Sequence, residues 1–157
     1  MDREAEELGR RLAERQAFLA VAESCTGGLI AKRITDVAGS SGWFERGLVV
    51  YSNQAKQDLL GVSPDLLSQF GAVSRECAEA MVRGLLVMTP AQWGVAVTGI
   101  AGPGGGSPEK PVGLVWLAWE QRGGKAETQA LQLAGSREEI RAAAAQAALS
   151  GLLDRLG

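Results

Sequence analysis

Three short apolar runs, FLAVAE at 18–23, GLVVYS within 45–52 and GVAVT at 94–98, each end in small polar residues and glycine, and stretches with helical spacing separate them. Apolar runs of this length bounded by turn residues read as buried strands. A chain that alternates such strands with amphipathic helices can bury both only by covering each face of a sheet with helices. Two further strands, 112–120 and 126–133, are expected to form a hairpin through Arg122, Gly123, Gly124 and Lys125. The fold class expected is α/β, a three-layer α/β/α arrangement around a mixed sheet of about five strands.

The helices announce themselves by spacing and caps. Residues 2–16 carry Leu8 and Leu12 four apart on one face. A second helix is expected over 26–37 through Leu29, Ile30, Ile34 and Val37, stopped by Gly39. Asn53 is placed to cap a short helix ending at Gly61, and Ser63 with Pro64 opens another that runs to about Phe70. Ser74 with Glu76 starts a longer one to about Met88, and Ser136 with Glu139 reads as a capping box for the last. The segment 99–111, GIAGPGGGSPEKP, is too rich in glycine and proline for regular structure and reads as a long shaped loop. Trp116 and Trp119 are an odd number apart and should face opposite sides of one strand; Trp43 is placed to wall a ligand site or a subunit contact.

At 157 residues the chain has the size of one domain, so 1–157 is expected to fold as a unit. Its net charge of −2 lacks the basic footprint of a nucleic-acid binder. The charged N-terminal stretch has no signal-like apolar core, and no run approaches a membrane span, so a cytoplasmic protein with neither membrane nor direct nucleic-acid partner is expected. The two cysteines, Cys25 and Cys77, form no CxxC pair and signal neither a disulfide framework nor zinc.

The absence of histidine bears most on chemistry. It excludes a Ser-His-Asp or Cys-His system, so a hydrolase built from this chain needs another base. Serine, threonine or cysteine paired with lysine remain open, provided that desolvation lowers the lysine pKa. Ligands of open α/β sheets bind at the carboxyl ends of strands. Three such ends stand out: ESCTGG with Ser24, Thr26, Gly27 and Gly28; YSNQAK with Tyr51, Ser52 and Lys56; and TGIAG with Thr98, Gly99 and Gly102. Lys56 is the leading base and Ser24 the leading nucleophile, with Cys25 beside it as the rival. Tyr51 is a candidate to orient the lysine or donate to substrate, and Arg46 to hold a phosphate. None of the three ends is a standard nucleotide fingerprint.

The motifs AESCTGGLIAKRIT, GSSGWFERGLVVYSNQAKQDLLGV, GAVS and VTGIAGPGGGSPEKPVG together resemble the CinA C-terminal family in order and spacing. That family's stand-alone members are nicotinamide mononucleotide deamidases. The resemblance implies metal-independent hydrolysis of a linear amide, the nicotinamide carboxamide of nicotinamide mononucleotide, within pyridine nucleotide recycling. It implies no cofactor and at least a dimer, and its serine and lysine fall on Ser24 and Lys56. Backbone N–H groups at 25–28 or 99–102 would hold the oxyanion, and Arg46, Thr26, Ser52 and Thr98 would assist the phosphate. The rivals are a competence- or DNA-damage-associated interaction module without turnover, and a phosphate-ligand binder.

Overall fold

The computed structural model describes residues 2–157. Its elements run α1 (Arg3–Glu14), β1 (Leu19–Glu23), α2 (Leu29–Thr35), β2 (Phe44–Val49), α3 (Asn53–Leu60), α4 (Pro64–Phe70), α5 (Arg75–Met88), β3 (Trp93–Gly99), β4 (Leu114–Gln121), β5 (Glu127–Gln132) and α6 (Arg137–Leu156). A 3-10 turn, Ser40–Gly42, precedes β2. The strands form one mixed sheet in the order β2-β1-β3-β4-β5. β1 pairs in parallel with both β2 and β3, because helical crossovers join these strands. β4 runs antiparallel to β3 and β5. No regular element interrupts 100–113, as the glycine and proline content predicts.

Alternation along β1 divides the core. Leu19 and Val21 join the cluster under α1, α2 and α6, while Ala20 and Ala22 join the cluster under α3, α4 and α5. The same parity separates the two tryptophans of β4. Trp119 is buried beneath α6, its indole N–H donating to the carbonyl of Ala148 at 3.0 Å and its ring covered by the Arg155 guanidinium 3.8 Å from the centroid. Trp116 packs on the α5 side.

Three expectations need correction. The second helix begins at Leu29 rather than at residue 26, since Gly27 (φ 59°) and Gly28 (φ 103°) occupy the left-handed region and cannot be helical turns. Ser52, not Asn53, caps α3: its hydroxyl accepts from the Ala55 N–H at 3.0 Å, and Asn53 is the first helical residue. Trp43 walls no ligand site. It is buried against α1, where Gly9 has no Cβ; a Cβ there would stand 2.5 Å from the indole ring.

The chain leaves β1 for β2 on one side and returns to β3 on the other. β1 is therefore the point where strand order reverses, and the crevice beyond its carboxyl end is where a sheet of this kind receives ligands.

Candidate active site

Glu23 ends β1 and Ser24 follows it directly, the two diverging to opposite faces. The Ser24 N–H continues the ladder by donating to the carbonyl of Val97 at 3.1 Å, which fixes the residue above the sheet edge. β2 ends beside it, and the Ser52 cap starts α3 at once, so the first turns of that helix cross over the strand ends. Lys56 is thereby carried inward to 1% exposure. Its Nζ lies 3.2 Å from Ser24 Oγ, 3.0 Å from the carbonyl oxygen of Val50 and 3.1 Å from that of Tyr51.

Among the described residues no carboxylate pairs with Lys56. Burial lowers its pKa from the ordinary 10.5, and the nearby thiols of Cys77 and Cys25 only partly oppose the shift. The same burial pushes both thiols up to about 11, so Cys25 stays protonated and a poor nucleophile at neutral pH. Nζ donates to the two carbonyls and has Ser24 Oγ as its third neighbour, so among these partners only the serine hydroxyl carries a proton to exchange with it.

Ser24, Lys56, Tyr51, Asn53, Thr98 and Gly99 line a cleft of about 230 Å³, closed further by Cys25, Ala72, Val73, Ala101 and Arg137. That is below the roughly 300–1,000 Å³ of most small-molecule sites, so it has room for only part of a ligand of that size. Thr98 is fixed by donating its hydroxyl proton to the Ala72 carbonyl at 2.9 Å. Tyr51 is 61% exposed at the mouth, and its phenol oxygen accepts from Arg137 Nη2 at 3.3 Å. Arg137 also donates to the Gly102 carbonyl at 2.8 Å, which ties the long loop to α6.

The remaining candidates from the sequence lie elsewhere. Arg46 is exposed in the middle of β2, paired with Glu45 and outside the cleft lining; three residues of strand, about 10 Å, separate it from the site edge. Thr26 is fully buried with its hydroxyl donating to Glu23 Oε1 at 2.6 Å. Gly27 donates its N–H to the Ser24 carbonyl and Gly28 to Glu23 Oε1, so both glycine N–H groups are engaged within the turn. Ser52 is a helix cap, and Gly102 presents its carbonyl to Arg137.

Arg137, which the sequence marks only as part of a helix opening in SREEI, also lines this cleft. A signal was present. Consecutive antiparallel strands β3, β4 and β5 return the chain to the edge where β3 ends, so whatever follows β5 arrives at the cleft. Among the described residues no three His, Cys, Asp or Glu side chains gather in a way that could hold a metal ion.

Fold and site together define a three-layer α/β protein that sets a serine hydroxyl against a buried, carboxylate-free lysine at its switch-point cleft. The model of the CinA C-terminal domain matches residues 1–156, and the chain belongs to that family. It is 52% identical over 149 residues to a nicotinamide-nucleotide amidohydrolase PncC of Pseudomonas putida, covering 95% of this chain and 92% of that protein. It is 54% identical over 143 residues to a CinA-like protein of Akkermansia muciniphila, covering 91% of this chain but only 34% of that protein's length. The crystal structure of competence/damage inducible protein CihA from Agrobacterium tumefaciens superposes with a TM-score of 0.90 at 48% identity, covering 96% of this chain and 94% of that one.

Proposed function

We propose that the chain is an amidohydrolase that converts nicotinamide mononucleotide to nicotinate mononucleotide and ammonia, in the recycling of pyridine nucleotides. The observation that carries this reading is Lys56 Nζ, buried without a carboxylate 3.2 Å from Ser24 Oγ. The names of full-length relatives at about half identity supply the substrate.

In this mechanism Lys56 accepts the Ser24 proton as Oγ attacks the carboxamide carbon. The tetrahedral intermediate collapses by breaking the C–N bond, Lys56 returns the proton to the leaving nitrogen, and ammonia departs. Water then attacks the acyl-serine ester and gives one proton to Lys56; collapse passes that proton to Ser24 Oγ, and the released acid gives its remaining proton to the ammonia, leaving carboxylate and ammonium. Atoms and protons balance over the cycle without a metal ion. Tyr51 serves through its backbone carbonyl, which orients the lysine, and through its phenol at the cleft mouth. Arg137 stands at that mouth to meet the phosphate, the role that sequence reasoning gave to Arg46. The oxyanion falls to the N–H of Cys25, which lines the cleft; among the described residues it donates to no protein oxygen, and the N–H after a nucleophile is the usual oxyanion donor.

Ammonia release from nicotinamide mononucleotide tests the reading. Release by the wild type, reduced by at least about a thousandfold in Ser24→Ala with its fold intact, is the expected result. Absence of release by the wild type beside an active control deamidase overturns it.

A further inference from the structure

The turn that presents Ser24 is gripped from two sides by opposite charges that touch no reacting atom. From below, the buried carboxylate of Glu23 accepts from the Thr26 hydroxyl at 2.6 Å and from the N–H groups of Gly28, Ile30 and Ala31 at 3.2, 2.9 and 2.9 Å. From α6, the Arg141 guanidinium donates to the carbonyls of Cys25 and Thr26 at 3.0 and 3.1 Å. The Ser24 carbonyl receives the Gly27 N–H at 3.0 Å, and the Ser24 N–H is held by Val97.

Resting on the Ser24 nucleophile reading above, we propose that Glu23 and Arg141 are positioning residues for the hydrolysis, holding the Ser24–Gly28 turn so that the Cys25 N–H, on the cleft lining, stays free to receive the oxyanion.

Three features support this over a purely structural role. The carboxylate takes the N–H groups that a helix start would otherwise offer, including that of Gly28, so an incoming anion has no competing donor there. Arg141 forks across the carbonyls of Cys25 and Thr26, so it fixes the two peptide groups that follow the Cys25 N–H and with them the direction in which that N–H points. Space is also matched: a Cβ on Gly27 would stand 2.9 Å from Arg141 Nη2, so the glycine lets the guanidinium reach the turn. Arg141 is unlike Arg137 in this respect, since it lies outside the cleft lining and meets the backbone of the turn alone.

Two variants test the pair. Arg141→Lys keeps the charge but cannot fork across two carbonyls, and Glu23→Gln puts an amide donor against an N–H. Each is read by kcat and KM for nicotinamide mononucleotide, by the rate at which a fluorophosphonate labels Ser24, and by circular dichroism and melting temperature. The expected result is a folded protein with kcat and labelling rate down by about tenfold or more and KM within about twofold, as for an interaction made only in the transition state. Arg141→Lys folded with kcat and labelling within about twofold of the wild type overturns the proposal, as does a loss confined to KM. The outcome does not depend on Glu23→Gln folding. A wild type that releases no ammonia but whose Ser24 labelling is slowed in the variants refutes the substrate and supports the positioning role. An active wild type with indifferent variants does the reverse. Failure of the wild type to label at Ser24 refutes both.

Discussion

Replacing Lys56 by methionine keeps the length and most of the volume of the side chain while deleting the amine, and it separates two consequences of burying that group. The first is catalytic. Without a base, turnover of nicotinamide mononucleotide should fall by about 10²–10⁴-fold or more. The second is a change in how stability depends on pH. The lowered pKa means that between the folded-state value and the ordinary 10.5 the unfolded chain binds more protons than the folded one, so wild-type stability rises with pH across that window. The slope for one group is at most about 1.4 kcal/mol per pH unit. The methionine variant lacks this term, but it leaves the buried Val50 carbonyl without its donor, at a cost of about 1–3 kcal/mol. The variant should therefore be less stable than the wild type by that amount near pH 10. The gap should close, and can invert, as pH falls through the window. Urea titrations followed by fluorescence of the buried Trp43 and Trp119, run from about pH 6 to 10, measure it. A gap that does not change with pH would show that the lysine is not desolvated, and turnover within about tenfold of the wild type would remove it as the base.

Other outcomes follow from particular contacts. Arg137→Ala should raise KM by about ten- to a hundredfold, the loss of one charge-assisted contact worth about 1.5–3 kcal/mol, while Arg46→Ala should leave KM within about twofold; the opposite ranking would return the phosphate to β2. Gly84→Ala places a Cβ 1.9 Å from the Leu60 carbonyl oxygen, where α5 meets α3, and should cost about 1–3 kcal/mol or more in chemical denaturation. A loss below about 0.5 kcal/mol would mean that α3 moves aside freely. Gly28→Ala must hold φ near 103° with a side chain, so it should lower both stability and kcat; unchanged kcat would show that the turn tolerates rearrangement.

How much of this protein can be read before it folds depends on the range over which each signal acts. The strands, the caps at Ser63, Ser74 and Ser136 and the loop at 99–111 are written in neighbouring residues, because propensity, capping and turn chemistry operate within a few positions. The lack of histidine, a property of composition alone, was enough to direct attention to lysine as the candidate base. Ser24 and Lys56 were legible because each lies at a strand end or in the helix turn just beyond it, and their resemblance to a family motif lies in contiguous residues. The start of α2 was misjudged by three residues because helical spacing is blind to the left-handed backbone of two glycines.

What required the assembled fold is everything that depends on strand order and polarity. Whether Arg46 or Arg137 reaches the cleft is decided by which edge β5 returns to, since a charged side chain carries no local mark of its partner. Trp43 looks like a ligand wall until α1 lies on it. Glu23 reads as the end of an apolar strand, and only the closure of α2 over that strand brings it the N–H donors that a buried carboxylate needs. The contacts that hold the cleft and the turn behind it join residues 32 apart in the case of Ser24 and Lys56 and 116 apart in that of Cys25 and Arg141. Short-range preferences set which elements form. The sheet, by fixing where their ends meet, sets which side chains face one another across those distances.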